Sequence, residues 1–441
     1  LKFSLKGSFY FWKEGNMIQF EEAIARIASV ARQYSPESEV IPLEEADGRI
    51  CTEDILSPEA VPSFNNSAMD GFAICSEDTL GASEENPVRL SVSSIAAAGD
   101  EVVSYSSDVR AIEIMTGAAL PDIFDAVVKI EDVKILRSEA GGGHGILISS
   151  FIPKGNNVRE KGEDYKVGQI VLSHGACIRA ESMMALAGLG ISEVTVFKKP
   201  VVSILSTGKE LVPLETKSLK PGRIRNSTAL YLKTAMAHLG ARIHSVETIG
   251  DEVGVFKDHV QRNLAQNIDV LVTTGAVSMG KYDFIVPALL EMGAEIVFHK
   301  VAIRPGKPIL FAKIKRSRGN PLIIFGMPGN PIASAVGFRF FLTPFFREFY
   351  GQHPEQAWSV KLSETTRKPE NLKCFFKARL EKEAGDLVVR SLAGQASFMI
   401  SPLVQANAWV LFPEVGTQVS KNQRVDVFPL LQNEFFEWGN L

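Results

Sequence analysis

Two glycine-bearing turns stand out as places where chemistry could gather. Thr273-Thr274-Gly275-Ala276-Val277-Ser278-Met279-Gly280 follows the run "IDVLV", and Gly326-Met327-Pro328-Gly329-Asn330-Pro331 follows "LIIF". Glycine lets a backbone approach an oxyanion closely, and N–H groups at a helix start add partial positive charge. Gly275, Ser278, Gly280, Pro328, Gly329 and Asn330 are therefore candidates for holding phosphate or a similar anion. For one loop alone a tight turn is the plainer reading; two at neighbouring strand ends favour an anion site.

Carboxylates recur at comparable places: Glu210 in "STGKEL", Asp251 in "IGDEV" and Asp283 in "GKYDF". Acids beside a phosphate loop suit Mg²⁺, a hard ion that takes oxygen ligands and bridges to substrate phosphates, so a magnesium-assisted attack on a phosphoanhydride is one chemistry they allow. Each acid taken singly is equally a helix cap or a solvated charge. Lys300, Arg304 and Lys307 gather in "HKVAIRPGKP", where Pro305-Gly306 turns the chain. They could neutralise the oxygens of phosphate or another oxyanion, or decorate a solvated turn. Asp70 in "PSFNNSAMDGFA" reads by itself as the acidic half of an Asp-Gly turn, and Arg159, Glu163 and Asp164 in "REKGEDYKVG" read as structural too.

The elements around these residues change character along the chain. Phe20, Ile24, Ile27, Ala28 and Ala31 recur at helical spacing, and "RAESMMALAGLG" gives a second amphipathic helix, expected to pack near the first. Between them, from about Leu43 to Val158, short β-rich runs alternate with Gly, Pro and Asp turns, as in a small inserted β domain. After Pro200, β-branched runs alternate with helices through Phe349, which predicts a mostly parallel sheet covered on both faces, with ligands beyond the carboxyl ends of its strands. From about Gln356 onward short strands return, indicating another small β domain.

The whole is a multidomain α/β plus β chain of 441 residues, too long for one core. Its net charge of -4 excludes a global positive field for nucleic acid or anionic membrane. Apolar stretches fall short of the roughly 18–20 residues that span a bilayer. Cys51, Cys75, Cys177 and Cys374 form no C-x-x-C pair, and the seven histidines no ligand-spaced pair, so zinc is not expected and a cytoplasmic location is. Residues 1–16 lack a signal-peptide pattern and are expected to be an extension or tag before Met17.

Together, "NSAMDGFA" (66–73), "MTGAALPDIFDAVVKIED" (115–132), "VREKGEDYKVGQ" (158–169), "STGKEL" (206–211) and "GMPGNPIAS" (326–334) resemble in order and spacing the molybdopterin molybdenumtransferases, the MoeA and gephyrin E-domain family. The resemblance runs from about Met17 to the C-terminus. It implies a discontinuous elongated domain (17–61 and 159–197), an inserted β domain (62–158), a three-layer α/β domain of the molybdopterin-binding type (198–352) and a C-terminal β barrel (353–441). It also implies insertion of molybdate into adenylylated molybdopterin with Mg²⁺ and release of AMP, in a homodimer whose sites are shared between subunits. Dealings with a molybdopterin adenylyltransferase and with molybdoenzyme-maturation proteins would follow.

By motif matching, Asp70, Thr116, Arg159, Asp164, Glu210, Asp251, Asp283, Lys300, Arg304, Lys377 and Ser397 fall on functional positions of the family. Asp70, Asp164, Glu210, Asp251 and Asp283 are assigned to catalysis, Glu210 and Asp283 also to the metal, and the others to substrate, as are Ser206, Thr207, Gly208 and Lys307. Arg304 stands where Lys occurs in well-known members, Lys377 where Arg does, and Ala276 where a second Gly is usual; the first two keep charge but change donor geometry. A scaffold on the same fold, as gephyrin is for receptor loops, and a molybdopterin adenylyltransferase are the competing functions. Acids and cations retained in every motif argue against the scaffold, and a single α/β domain flanked by β domains against the adenylyltransferase.

Overall fold

The protein is seen in a computed structural model that describes residues 17–137, 144–277, 284–383 and 385–431. The expected extension at 1–16 and the candidates Ser278, Gly280 and Asp283 lie outside the described residues. Two compact units form: one takes the chain through Glu39, Gly48–Thr52 and everything from Thr195 onward, the other Val40–Asp47 and Glu53–Val194. Helix α1 (Phe20–Ala31) belongs to the first unit, and α2 (Ala180–Gly188) to the second. The expectation groups these helices in one domain of 17–61 and 159–197; by their contacts residues 17–39 gather in the first unit.

In the second unit, β1 (Gly71–Ile74), β2 (Val88–Ala96), β3 (Ala111–Ile114), β4 (Ala126–Lys129), β5 (Val133–Arg137) and β6 (His144–Ile148) form a sheet in the order β4-β1-β3-β2-β6-β5. Its inner strand β1 is buried on both faces. Phe72 and Ile74 join one core with Ile146 and Ile148, while Ala73 joins another with Ile112 and Val127. At Gly71 the strands come so close that a Cβ would sit 2.0 Å from the Val128 carbonyl oxygen, which accounts for the glycine after Asp70.

The first unit is built on a six-stranded sheet of β7 (Val201–Thr207), β8 (Arg242–Ile249), β9 (Val270–Thr274), β10 (Glu295–His299), β12 (Leu310–Ile314) and β13 (Leu322–Met327), ordered β8-β7-β9-β13-β12-β10; β11 (Ile303–Arg304) lies outside it. Side-chain alternation along β9 covers both faces. Val270 and Val272 meet α3 (Ser227–His238), α6 (Pro331–Gly337) and α7 (Thr343–Phe349), whereas Leu271 meets α4 (Val253–Ala265) and α5 (Ile285–Glu291). The four strands from β8 to β13 are parallel, whereas β12 is antiparallel to both its neighbours, β13 and β10. The link between β10 and β12 is too short for a parallel crossover, which takes a dozen or more residues.

α1 packs on α7, with the Tyr34 ring just beyond it 5.2 Å from that of Phe349. Phe338–Leu342, between α6 and α7, widens into a π-helical turn. The chain ends in a closed five-stranded barrel of β14 (Trp358–Leu362), β15 (Lys373–Glu383), β16 (Asp386–Ser391), β17 (Ala408–Phe412) and β18 (Arg424–Pro429), ordered β15-β16-β14-β18-β17 and closed by β17 on β15. No helix among the described residues is long and apolar enough to cross a membrane.

Candidate functional site

β7, β9 and β13 lie side by side and parallel, so their carboxyl ends bring Ser206–Gly208, Thr274–Val277 and Met327–Asn330 to one edge of the sheet. The glycine loops are fastened to each other. The Gly275 amide donates to the Met327 carbonyl at 3.0 Å, and a Cβ on Gly329 would lie 3.7 Å from the Gly275 Cα. Gly275, at φ +87, has no room for a side chain, because its Cβ would sit 2.4 Å from the Thr207 carbonyl oxygen. The Thr207 hydroxyl donates to the Thr274 carbonyl and the Thr274 hydroxyl to that of Ser206, each at 3.1 Å. Ser206 and Thr207 are therefore buried struts of the loops. Ala276 takes φ +49, left-handed backbone that glycine enters at no steric cost, so the departure noted in the sequence is tolerated under strain. The imidazole Nε2 of His299 lies 2.9 Å from the Val277 carbonyl oxygen and so anchors the loop at Val277.

Glu210 and Asp251 follow the neighbouring strands β7 and β8, whose ends are tied by the Gly208 amide donating to the Ile249 carbonyl at 3.1 Å. The Glu210 carboxylate folds back over Gly208, where a Cβ would meet its oxygens at 2.7 and 2.8 Å. Gly208 thus makes room for an acid. The amide of Ile224 donates to the Glu210 carbonyl at 2.9 Å, bringing the Arg223–Arg225 stretch alongside. Among the described residues no three acids, histidines or cysteines gather as a metal cluster.

A cavity of about 520 Å³ opens where four segments meet: Ala276–Val277, Ile303–Pro308, Pro328–Ala333 and Gln395–Phe398, with Leu372 beside them. Arg304, Lys307, Pro328, Gly329, Asn330 and Ser397 are on its wall. Arg304 and Lys307 are exposed there, and no carboxylate of the described residues forms an ion pair with either. β11 ties this cationic turn to the barrel, setting Arg304 beside Cys374 on β15. Burial pushes the Cys374 thiol up to about 11, so it stays protonated and inert.

One expectation changes in detail. The Ile332 amide in the first turn of α6 donates to the Ser397 carbonyl at 3.0 Å, so this N–H fastens the barrel loop and is not left for a ligand. Lys300, Glu210 and Asp251 are not on the cavity wall, and Lys377 is buried beneath the 394–399 loop on the outer face of β15, away from the barrel core.

Asp70, Thr116, Arg159 and Asp164 belong to the second unit. Asp70 is more than a turn residue: its Oδ1 accepts from the Thr116 amide at 2.7 Å and from the Thr116 hydroxyl at 2.8 Å. These bonds hold its carboxyl below the usual aspartate range while leaving it in solvent. Arg159 pairs with Asn66 in a short antiparallel ladder, within the same stretch of chain as Asp70. The Asp164 amide donates to the Val61 carbonyl at 2.9 Å, and its side chain is exposed.

Sequence reasoning missed His299, Gln395, Phe398 and the Arg223–Arg225 segment. The last had a signal in Pro221-Gly222 followed by Asn226, whose side chain caps α3 by accepting from the Ala229 amide at 3.1 Å. Gln395 and Phe398 had none, because only the barrel's closure brings them to the cavity.

Paired glycine loops at parallel strand ends, acids on the adjoining strands and a cationic cavity walled by a barrel loop define an enzyme domain for anionic ligands. Comparison with known proteins gives the lineage. The profile described as MoeA N-terminal region (domain I and II) matches residues 18–190, that of a probable molybdopterin binding domain residues 203–348, and that of the MoeA C-terminal region (domain IV) residues 359–430. A molybdopterin molybdenumtransferase of Synechococcus elongatus is 35% identical over 398 residues, 90% of this chain and 96% of its own. One from Bacillus subtilis is 32% identical over 424 residues, 96% of each. Two solved structures of moeA proteins from Pyrococcus horikoshii align with a TM-score of 0.78 each, at 30% and 25% identity, over 94% and 93% of this chain and 99% of theirs. The chain belongs to the MoeA family of molybdopterin molybdenumtransferases.

Proposed function

We propose that this chain transfers molybdenum from molybdate to adenylylated molybdopterin and releases AMP. The observation that carries this reading is the cavity in which Arg304 and Lys307 pair with no carboxylate of the described residues, beside two interlocked glycine loops. A tetrahedral dianion fits such a place, since guanidinium and ammonium groups neutralise its oxygens and Ser397 adds a hydroxyl donor. Glu210 and Asp251 take the neighbouring strand ends and orient the phosphoanhydride, so that water adds to the adenylyl phosphorus as the anhydride P–O bond breaks, giving AMP and the molybdopterin phosphate beside the molybdate. One molybdate oxygen leaves as water with the two dithiol protons as the Mo–S bonds form. Their donors are oxygens only, which fits Mg²⁺; that ion, when bound by Glu210 and Asp283, would neutralise the phosphate oxygens. Positioning and charge neutralisation then supply the catalysis, with no covalent enzyme intermediate.

The working enzyme in this reading is a homodimer in the cytoplasm, supplied with substrate by a molybdopterin adenylyltransferase. Exposed Leu56, Val167, Ile170 and Met184 of the second unit support the dimer, because apolar side chains on neighbouring elements mark interaction surfaces. Sharing a site with the partner's second unit would bring Asp70, Arg159 and Asp164 to the substrate. The test combines purified protein, adenylylated molybdopterin, Mg²⁺ and molybdate. AMP and molybdenum cofactor should appear together. Tight pterin binding with neither product would indicate a scaffold, and adenylylation of free molybdopterin by ATP would indicate the adenylyltransferase.

A further inference from the structure

Lys377 is fully buried on β15, and no carboxylate of the described residues pairs with it. Its Nζ instead donates to three main-chain carbonyls of one loop: Gly394 at 2.8 Å, Met399 at 3.1 Å and Ala396 at 3.5 Å. The main chain of Lys377 is gripped by the same loop. Its amide donates to the Gln395 side-chain oxygen at 3.0 Å, and the Gln395 side-chain nitrogen donates to the carbonyls of Lys377 at 2.8 Å and Leu392 at 2.7 Å. The loop arches over this one residue and presents Gln395, Ala396, Ser397 and Phe398 to the cavity. Its Ser397 carbonyl then accepts from Ile332, two residues beyond Asn330.

We infer that Lys377 is a positioning residue for molybdate insertion: its ammonium gathers the carbonyls of the 394–399 loop and thereby sets Ser397 on the wall that Arg304 and Lys307 share. An ammonium has three N–H donors for three carbonyls, whereas a neutral amine has two. A buried ammonium without a counter-charge is costly, and a structural role alone would be met by an apolar side chain and a shorter loop. Burial lowers the Lys377 pKa to about 8, so charge and third donor are lost across a range an assay can reach. The flanking strands bring Trp409 opposite it, Arg379 held by the Gln405 carbonyl and Arg390 paired with Glu381; burial lowers its pKa, while the three carbonyl acceptors favour the charged form. Lys368 provides an internal control. It too is buried on three carbonyls, but those of Pro369, Glu414 and Gly416, none of which is on the cavity wall.

This inference rests on the proposed reaction, so its test has an arm that needs no turnover. In full-length protein, Lys377→Met should raise the molybdate concentration for half-maximal insertion about tenfold, with pterin binding unchanged, since a small displacement of one positioning group costs that much or more. Lys377→Arg should restore it, and Lys368→Met should leave it alone. In the wild type the same concentration should rise as pH passes through about 8, and in Lys377→Arg that rise should vanish. Amide exchange of residues 394–399 should quicken over that range in the wild type relative to Lys377→Arg. Should Lys377→Met not fold, the wild-type and arginine pH series decide. Equal loop protection in wild type and arginine variant across that range, or an unaltered molybdate dependence in a folded Lys377→Met protein, overturns the role. Inactive wild-type enzyme with a pH-sensitive loop would instead count against the reaction.

Discussion

At the Asp70 turn a carboxylate is fully in solvent yet committed, because Thr116 supplies two donors to one of its oxygens and keeps it ionised. At the Arg304 turn two cations are equally exposed, but no carboxylate of the described residues pairs with them, and the turn itself is pinned between sheet and barrel. One region fixes a charge with its own hydrogen bonds. The other fixes the backbone and leaves the charge unpaired among the described residues. An oxyanion site needs the second arrangement, since a cation already paired would have to be released before it could bind.

Glu210→Gln is the most severe test of that contrast, because it neutralises the acid folded over Gly208 without changing its size. AMP release should fall by roughly a hundredfold or more, the scale of losing one preorganised electrostatic group, with the melting temperature little altered. Wild-type AMP release would remove Glu210 from the reaction, and Asp283→Asn should behave like Glu210→Gln. Arg304→Ala comes next: the half-saturating molybdate concentration should rise by about ten- to a hundredfold, and Arg304→Lys should recover part of the loss. If weaker pterin binding appears with no change in molybdate dependence, the cation serves phosphate.

Mixing Asp70→Ala and Glu210→Ala proteins, each expected to be inactive alone, probes the committed carboxylate. Random reassortment gives about half mixed dimers with one intact site of two, so recovery should approach roughly a quarter of wild-type activity for independent sites. Mixed dimers confirmed by mass with no recovery would place both residues in one subunit's site or couple the two sites. The smallest effect is expected of Ala276→Gly, which relieves φ +49 and should stabilise the fold by up to ~1 kcal/mol, measured by denaturant unfolding. A loss of stability there would show that the alanine methyl packs well enough to outweigh its backbone strain.

Local sequence determined a good deal of this protein. The glycines at 275 and 329 and the β-branched runs before them were enough to place glycine loops at strand ends, because φ preference and side-chain alternation act within a few residues. The "STGKEL", "NSAMDGFA" and "GMPGNPIAS" segments were enough for the family. Tertiary structure alone decided the rest. Nothing near Lys377 in the chain announces three carbonyls from 394–399, and nothing near Ser397 announces the Ile332 amide. Likewise α1, read with α2, joins the other unit, because its stripe of Ala23, Ile27, Val30 and Ala31 belongs to the core built by the phenylalanines of α7 and β13. Such contacts depend on how closed sheets and helices meet, and burial then gives a charge or an amide a partner that sequence neighbours cannot supply.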